Sequence, residues 1–304
     1  MIGITTDQFV ELSLRERLKN LKFDHNDEAE DQKFVLSVIS PQKEEWDLAG
    51  LGAIGVISGP PKSRKTALVS AIVAASLSGK EVLGFRSQVK GPILYLDTEQ
   101  RRGSFNKVNK NIMNWAGIPS GVTPDRYHAY CLREQMPNER LSIAKELCQE
   151  IHPQILIIDI ISDLMFDFND LEQSNKLVEE IMKMAGKDTL TLLTLHLGKA
   201  NMVLGHLGSA LARKVDFLLE VRMDEIDYTE SLVKCKLTRD TAMFPDFKIK
   251  QDKNPPRIYR PDLETVASWN SGWGGDMPKV SDTVDEIMDI GVNSRGDTND
   301  DLPF

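Results

Sequence analysis

Cysteine is scarce in this chain. Cys131, Cys148 and Cys235 are three in 304 residues, too scattered for a disulfide framework and without paired Cys/His spacing for zinc. They read as reduced, structural thiols. Long hydrophobic runs are also missing: none approaches the roughly 20 residues that cross a bilayer, and the opening MIGITTDQFVELSLRER lacks a basic stretch leading into an apolar one. A cytoplasmic protein is expected. There is no internal repeat and no net positive charge. The balance of −9 nevertheless excludes little, because eight acids against Lys279 and Arg295 place −6 of it between Asp276 and Phe304. The other 275 residues carry only −3, and binding of a polyanion depends on where charge sits rather than on the total.

What is present is a succession of short apolar runs alternating with helical stretches: AIGVISG, PILYLDT, QILIIDII, TLTLLTLH and DFLLEVRM. Strands so uniformly apolar are buried on both faces, as in a parallel sheet covered by helices. An α/β fold with a mainly parallel central sheet is expected over residues 46–262. Residues 1–45 are polar and weakly patterned, with Leu14, Leu18 and Leu21 at helical spacing for one short helix that packs on the core or on a neighbouring subunit. Residues 263–304 read as a Gly-rich linker, SGWGGDMP, followed by a flexible acidic tail.

The stretch GPPKSRKTALVSAIVAAS follows the strand AIGVIS and opens a helix. Gly59, Lys65 and Thr66 occupy the first, seventh and eighth places of the G-x-x-x-x-G-K-[ST] pattern, and the loop comprises Gly59, Pro60, Pro61, Lys62, Ser63, Arg64, Lys65, Thr66 and Ala67. Such a loop turns backbone amides and a helix N-terminus toward phosphate, with a lysine for the β/γ oxygens and a hydroxyl for Mg²⁺. Arg64 stands where a glycine is usual. If that position has a positive φ, the side chain costs on the order of 1 kcal/mol, so a reshaped loop is expected. A basic turn that happens to precede a helix would read the same in isolation. Asp159 ends the strand ILIID, as a carboxylate holding the water shell of Mg²⁺ would, although a buried strand ending in Asp is common. Glu99 follows the strand ILYLD and is either a base for an attacking water or a solvated acid.

Taken together, these segments resemble the RecA-like P-loop ATPases, in the branch of the RepA-type and DnaB-type hexameric helicases, from about Trp46 to Asp262. SGPPKSRKT looks like Walker A, ILYLDTEQ like the strand with the catalytic glutamate, and ILIIDIISDL like Walker B. The resemblance implies ATP and Mg²⁺ at the C-terminal edge of the sheet, Thr66 and Asp159 on the metal side, and subunits in a ring or filament. It also makes His196 a sensor of the γ-phosphate, against the plainer reading of a histidine hydrogen-bonded at a strand end. Lys199 and His206 become candidates for a DNA channel, or members of an ordinary flexible loop. Lys236 and Arg239, in VKCKLTRD, become candidate fingers for the neighbouring subunit's ATP site, where an alternating strand with outward cations would look similar.

The last five residues, Asp300, Asp301, Leu302, Pro303 and Phe304, look like the acidic tip of bacterial single-stranded DNA-binding proteins. That implies a partner with a basic-rimmed pocket for Phe304; a solubilising tail is the alternative. The expected function is an ATPase acting on single-stranded DNA in replication or recombination of a phage or mobile element, most like a RepA-type helicase. A recombinase or annealing accessory, and a nucleotide switch that only recruits other proteins, are the alternatives.

Overall fold

The computed structural model describes residues 22, 33–197, 205–253 and 256–263. Six parallel strands make up one side of a nine-stranded sheet: β3 (Ile54–Gly59), β5 (Ile93–Asp97), β6 (Tyr127–Cys131), β7 (Ile155–Asp159), β8 (Leu190–His196) and β9 (Phe217–Met223). Their order across the sheet is β9-β3-β8-β7-β5-β6, and β10 (Glu230–Thr238), β11 (Phe247–Lys253) and β12 (Pro256–Tyr259) extend it antiparallel beyond β9. Strand β8 separates β3 from β7. The tip of β8 therefore lies between the loop after Gly59 and the end of the strand that carries Asp159.

Every residue of β3, β5 and β7 is buried, which is why these runs carry no polar alternation. One face of the sheet is covered by α1 (Lys65–Ser78) and α2 (Arg102–Ala116). On the other face lie α3 (Pro137–Ile151), α4 (Leu171–Ala185) and α5 (Gly205–Ala212), giving two apolar cores on either side of one sheet. Helix α1 is buried from Leu68 to Ser76, so small residues such as Ala71, Ala74 and Ala75 let it lie close to the strands, and it stops at Gly79, whose φ of 67° leaves the right-handed helix. Gly55 has a related reason. A Cβ there would meet the Phe217 ring at 2.0 Å, so glycine on β3 is what lets that ring fill the core beside it.

A separate antiparallel sheet, β2-β1-β4, pairs β1 (Phe34–Ile39) with β2 (Glu45–Gly50) and β4 (Phe85–Ser87). Leu36, Val38, Leu48 and Phe85 send its apolar face into the core around α1. Residues 34–39, which the sequence pattern leaves in a weakly patterned N-terminal segment, are thus strand-paired within the same fold as α1.

Candidate nucleotide site

Strand β3 ends at Gly59 with no space for a side chain: a Cβ would stand 2.2 Å from the Val221 carbonyl oxygen and 2.6 Å from Ser63 Oγ. The chain then folds tightly over Pro60–Ser63, with Lys62 at φ 65° and Arg64 at φ 74°, and Arg64 is the residue immediately before α1. The left-handed position expected at 64 is real, and it is occupied by a side chain with a Cβ. Four hydrogen bonds offset that strain. The Arg64 guanidinium donates to Tyr228 O at 2.6 Å, Ser231 Oγ at 2.6 Å, Glu230 O at 3.2 Å and Gln251 Oε1 at 3.2 Å. The loop is thereby tied to β10 and β11, elements more than 160 residues later in the chain.

Two substitutions separate strain from tether. Arg64→Ala loses the hydrogen bonds and keeps the Cβ, whereas Arg64→Gly loses the bonds and relieves the strain. With each partly exposed bond worth about 0.5 kcal/mol, urea unfolding should place Gly about 1–2 kcal/mol and Ala about 2–3 kcal/mol below the wild type. Equal midpoints for the two variants would show that the backbone at 64 stores no strain.

The loop suits an anion. Helix α1 has no acid in its first turn and no side-chain cap, leaving its N-terminal dipole uncompensated, and the buried Ser63 hydroxyl has no partner among the described residues. Lys65 Nζ, buried below, donates to Gly59 O at 2.8 Å and Pro60 O at 3.0 Å, and lies 3.1 Å from His196 Nδ1. Burial lowers its pKa to about 8 against the opposing pull of Asp159 and Glu99.

Asp159 is fully enclosed by hydroxyls. Thr66 Oγ1 and Tyr95 OH donate to its Oδ2, each at 3.0 Å, and Thr194 Oγ1 donates to its Oδ1 at 2.5 Å. Burial raises the pKa of this carboxyl, while the three hydroxyl donors favour its ionised form. Asp97, at the end of β5, is pushed up to about 7 by burial; its Oδ1 accepts from the Gln100 amide, and its Oδ2 has no partner among the described residues. Thr98 bridges the two strand tips: its amide donates to Asp159 O, and its hydroxyl pairs with both the amide and the carbonyl of Ile160. That bridge fixes the start of the loop carrying Glu99. Glu99 Oε1 stands 3.6 Å from His196 Nε2, and the contact with His196, ahead of the charges of Lys65 and Arg133, holds its carboxyl below the usual range.

Five of the expected residues, Lys65, Thr66, Glu99, Asp159 and His196, thus meet at one edge of the sheet from four separate segments. Arg239 is elsewhere. Its guanidinium faces Asp216, 3.8 Å away, and Asp216 accepts from the amide of Ile54, the first residue of β3 and so the end opposite the loop. Lys236 is exposed on β10, and His206 is exposed on α5 beside Asp170, the cap of α4. Lys199 and residues 300–304 lie outside the described residues. Tyr95, Thr98 and Thr194 escaped the sequence reading; a lone hydroxyl inside an otherwise apolar run, as in ILYLD or TLTLLTLH, is the signal that marks an inward polar contact.

The AAA domain family matches residues 22–202. The chain belongs to that family. No match was found among curated proteins. Among solved structures, a KaiC-like protein from the hyperthermophilic archaeon Pyrococcus horikoshii is similar over 75% of this chain and 99% of that one, with 13% identity and a TM-score of 0.53. At that identity the likeness concerns the fold: an α/β, RecA-like architecture with a large, mostly parallel sheet. Membership of the AAA family agrees with the nucleotide loop found at Gly59–Thr66. No described helix is long and apolar enough to cross a membrane.

Proposed function

We propose that this chain hydrolyses ATP and couples hydrolysis to single-stranded DNA as a ring or filament, most like a RepA-type helicase. The observation that carries the reading is the line Lys65, His196, Glu99 along the edge of β3, β8 and the β5 tip. A loop that only held nucleotide would have little need of a carboxylate positioned through a histidine. The residues fit a triphosphate: an uncapped helix N-terminus, the orphaned Ser63 hydroxyl and the Lys65 ammonium converge on one loop. Among the described residues no cluster of three or more His, Cys, Asp or Glu could hold a metal alone. Mg²⁺ would therefore be shared between phosphates and Thr66, with Asp159 acting through water, and would supply neutralisation of phosphate charge.

On this reading Lys65 exchanges its loop carbonyls for phosphate oxygens. Glu99, kept ionised, accepts a proton from the attacking water. His196 touches both Lys65 and Glu99, so a change at the lysine reaches the base in one step. Arg239 lies at the end of β3 opposite the loop, and Arg239 and Lys236 would act on the next subunit's site.

The test is ATP turnover with and without a single-stranded oligonucleotide, with particles imaged in both states. Stimulation of several-fold with ordered assemblies supports the reading. Turnover and assembly indifferent to any nucleic acid would leave the recruiting switch as the better account. A recombinase or annealing accessory would instead show stimulation without strand separation. Recruitment through Asp300–Phe304 belongs to the same proposal.

A further inference from the structure

From Gln100 to Pro124 the chain has four cations, Arg101, Arg102, Lys107 and Lys110, and no acid, although the protein as a whole carries −9. Four asparagines, Asn106, Asn109, Asn111 and Asn114, fall in the same 25 residues. This segment contains all of α2, which forms one wall of a cleft of about 1250 Å³; strand β6, at the end of the nine-stranded sheet, forms the other. Among the described residues, no acidic side chain lines the cleft. Arg102 and Lys110 do, together with Asn106, Asn109 and Asn114 and the half-exposed ring of Tyr130. Tyr127 OH donates to Asn109 Oδ1 at 2.6 Å and ties the two walls together.

Some of the cations elsewhere in the fold are held by neighbouring acids. Arg222, Lys234, Lys248, Lys250 and Arg260 are all matched with acids. Among the described residues, Arg101, Arg102, Lys107 and Lys110 have no ion pair and no side-chain hydrogen bond. Unpaired cations, side-chain amides and an exposed aromatic ring in an acid-free cleft are the elements of a single-strand site: cations for the backbone, a ring for stacking, amides for base edges.

We propose that the cleft between α2 and β6 binds single-stranded nucleic acid. The proposal rests on the reading of the protein as a single-strand-dependent ATPase and locates its substrate surface. Its position supplies a link to hydrolysis. Helix α2 begins three residues after Glu99, and the loop following β6 carries Arg133, whose charge acts on Glu99. Both walls therefore grow from the loops that flank the base.

The experiment uses the full chain and a fluorescein-labelled oligothymidylate, with binding followed by anisotropy over a range of salt and ATP turnover measured with and without the oligonucleotide. Arg102→Glu combined with Lys110→Glu, the two cations that line the cleft, should weaken binding about tenfold or more and flatten the plot of log affinity against log salt by roughly 1.4, from two lost contacts at about 0.7 each. Tyr130→Ala should weaken it about fivefold or more, and Tyr130→Phe should restore it. Turnover without oligonucleotide should be unchanged in all three, and stimulation lost in the first two. Wild-type affinity and salt slope in the variants would overturn the cleft as the site while leaving a single-strand-dependent ATPase intact. Absence of binding by the wild type would remove both. Loss of self-association in the charge variant with oligonucleotide binding intact would make the cleft a subunit interface and overturn the proposal.

Discussion

Glu99→Gln is expected to lower turnover by about 10²–10⁴-fold, the usual worth of a positioned general base, with little change in ATP affinity. The carboxylate reaches the edge of the site on a loop anchored by Thr98 to Ile160, and it faces His196 at 3.6 Å rather than any residue of the phosphate loop itself. Gln keeps the shape and the contact with the imidazole but cannot take a proton. A ground state held by Lys65, Thr66 and the loop amides should therefore survive, and only the barrier should rise. Phosphate release at saturating ATP, set beside equilibrium binding of a fluorescent ATP analogue, separates the two quantities. Unchanged turnover would take Glu99 out of the chemistry. A parallel fall in affinity would make it part of the binding site instead.

The residues behind that prediction were legible because each sits at the end of an apolar run. Gly59, Asp159 and His196 close β3, β7 and β8, Glu99 follows the end of β5 by two residues, and a strand buried on both faces advertises itself by lacking polar alternation. Edge strands give no such signal. In β6, YHAYC runs from buried to exposed along one edge of the sheet, and in β2, EWDLAG is buried only over its last three residues. Each pairs on one side only, β6 with β5 and β2 with β1, and leaves part of its length exposed, so no continuous apolar run marks it. Arg64 shows the same division. A positive φ was foreseeable from its place in the loop. Its compensation was not, since Tyr228, Ser231 and Gln251 come to it only when β10 and β11 are laid beside β9. Tyr95 and Thr194 were hidden for a third reason: each is one hydroxyl in an apolar strand, and what it bonds depends on the neighbour's register.

Lys65→Met should raise the stability of the free protein at pH 7 while reducing ATP affinity by at least about 100-fold, the loss expected when a buried cation facing phosphate is removed. Burial lowers the lysine pKa from 10.5 to about 8, so holding the charge inside the fold costs about 3 kcal/mol at neutral pH. The carbonyls it serves do not depend on it: Gly59 O also accepts from the Leu197 amide and Pro60 O from the Ser63 amide. An unbranched apolar side chain of similar length then removes a desolvated charge without orphaning either carbonyl, and a gain of about 1–3 kcal/mol in urea unfolding is expected. The pH dependence fixes the cause. Because the folded pKa lies below the unfolded one, the cost is fully present below pH 8 and is relieved as pH rises from about 8 toward 10.5. The stability gap between Lys65→Met and wild type should therefore shrink over that window. Over the same window wild-type ATP affinity should fall, approaching tenfold per pH unit, since a neutral Lys65 must take up a proton before it can meet phosphate. A variant less stable than wild type at pH 7, with a gap independent of pH, would mean that the lysine is held by the fold rather than held in spite of it.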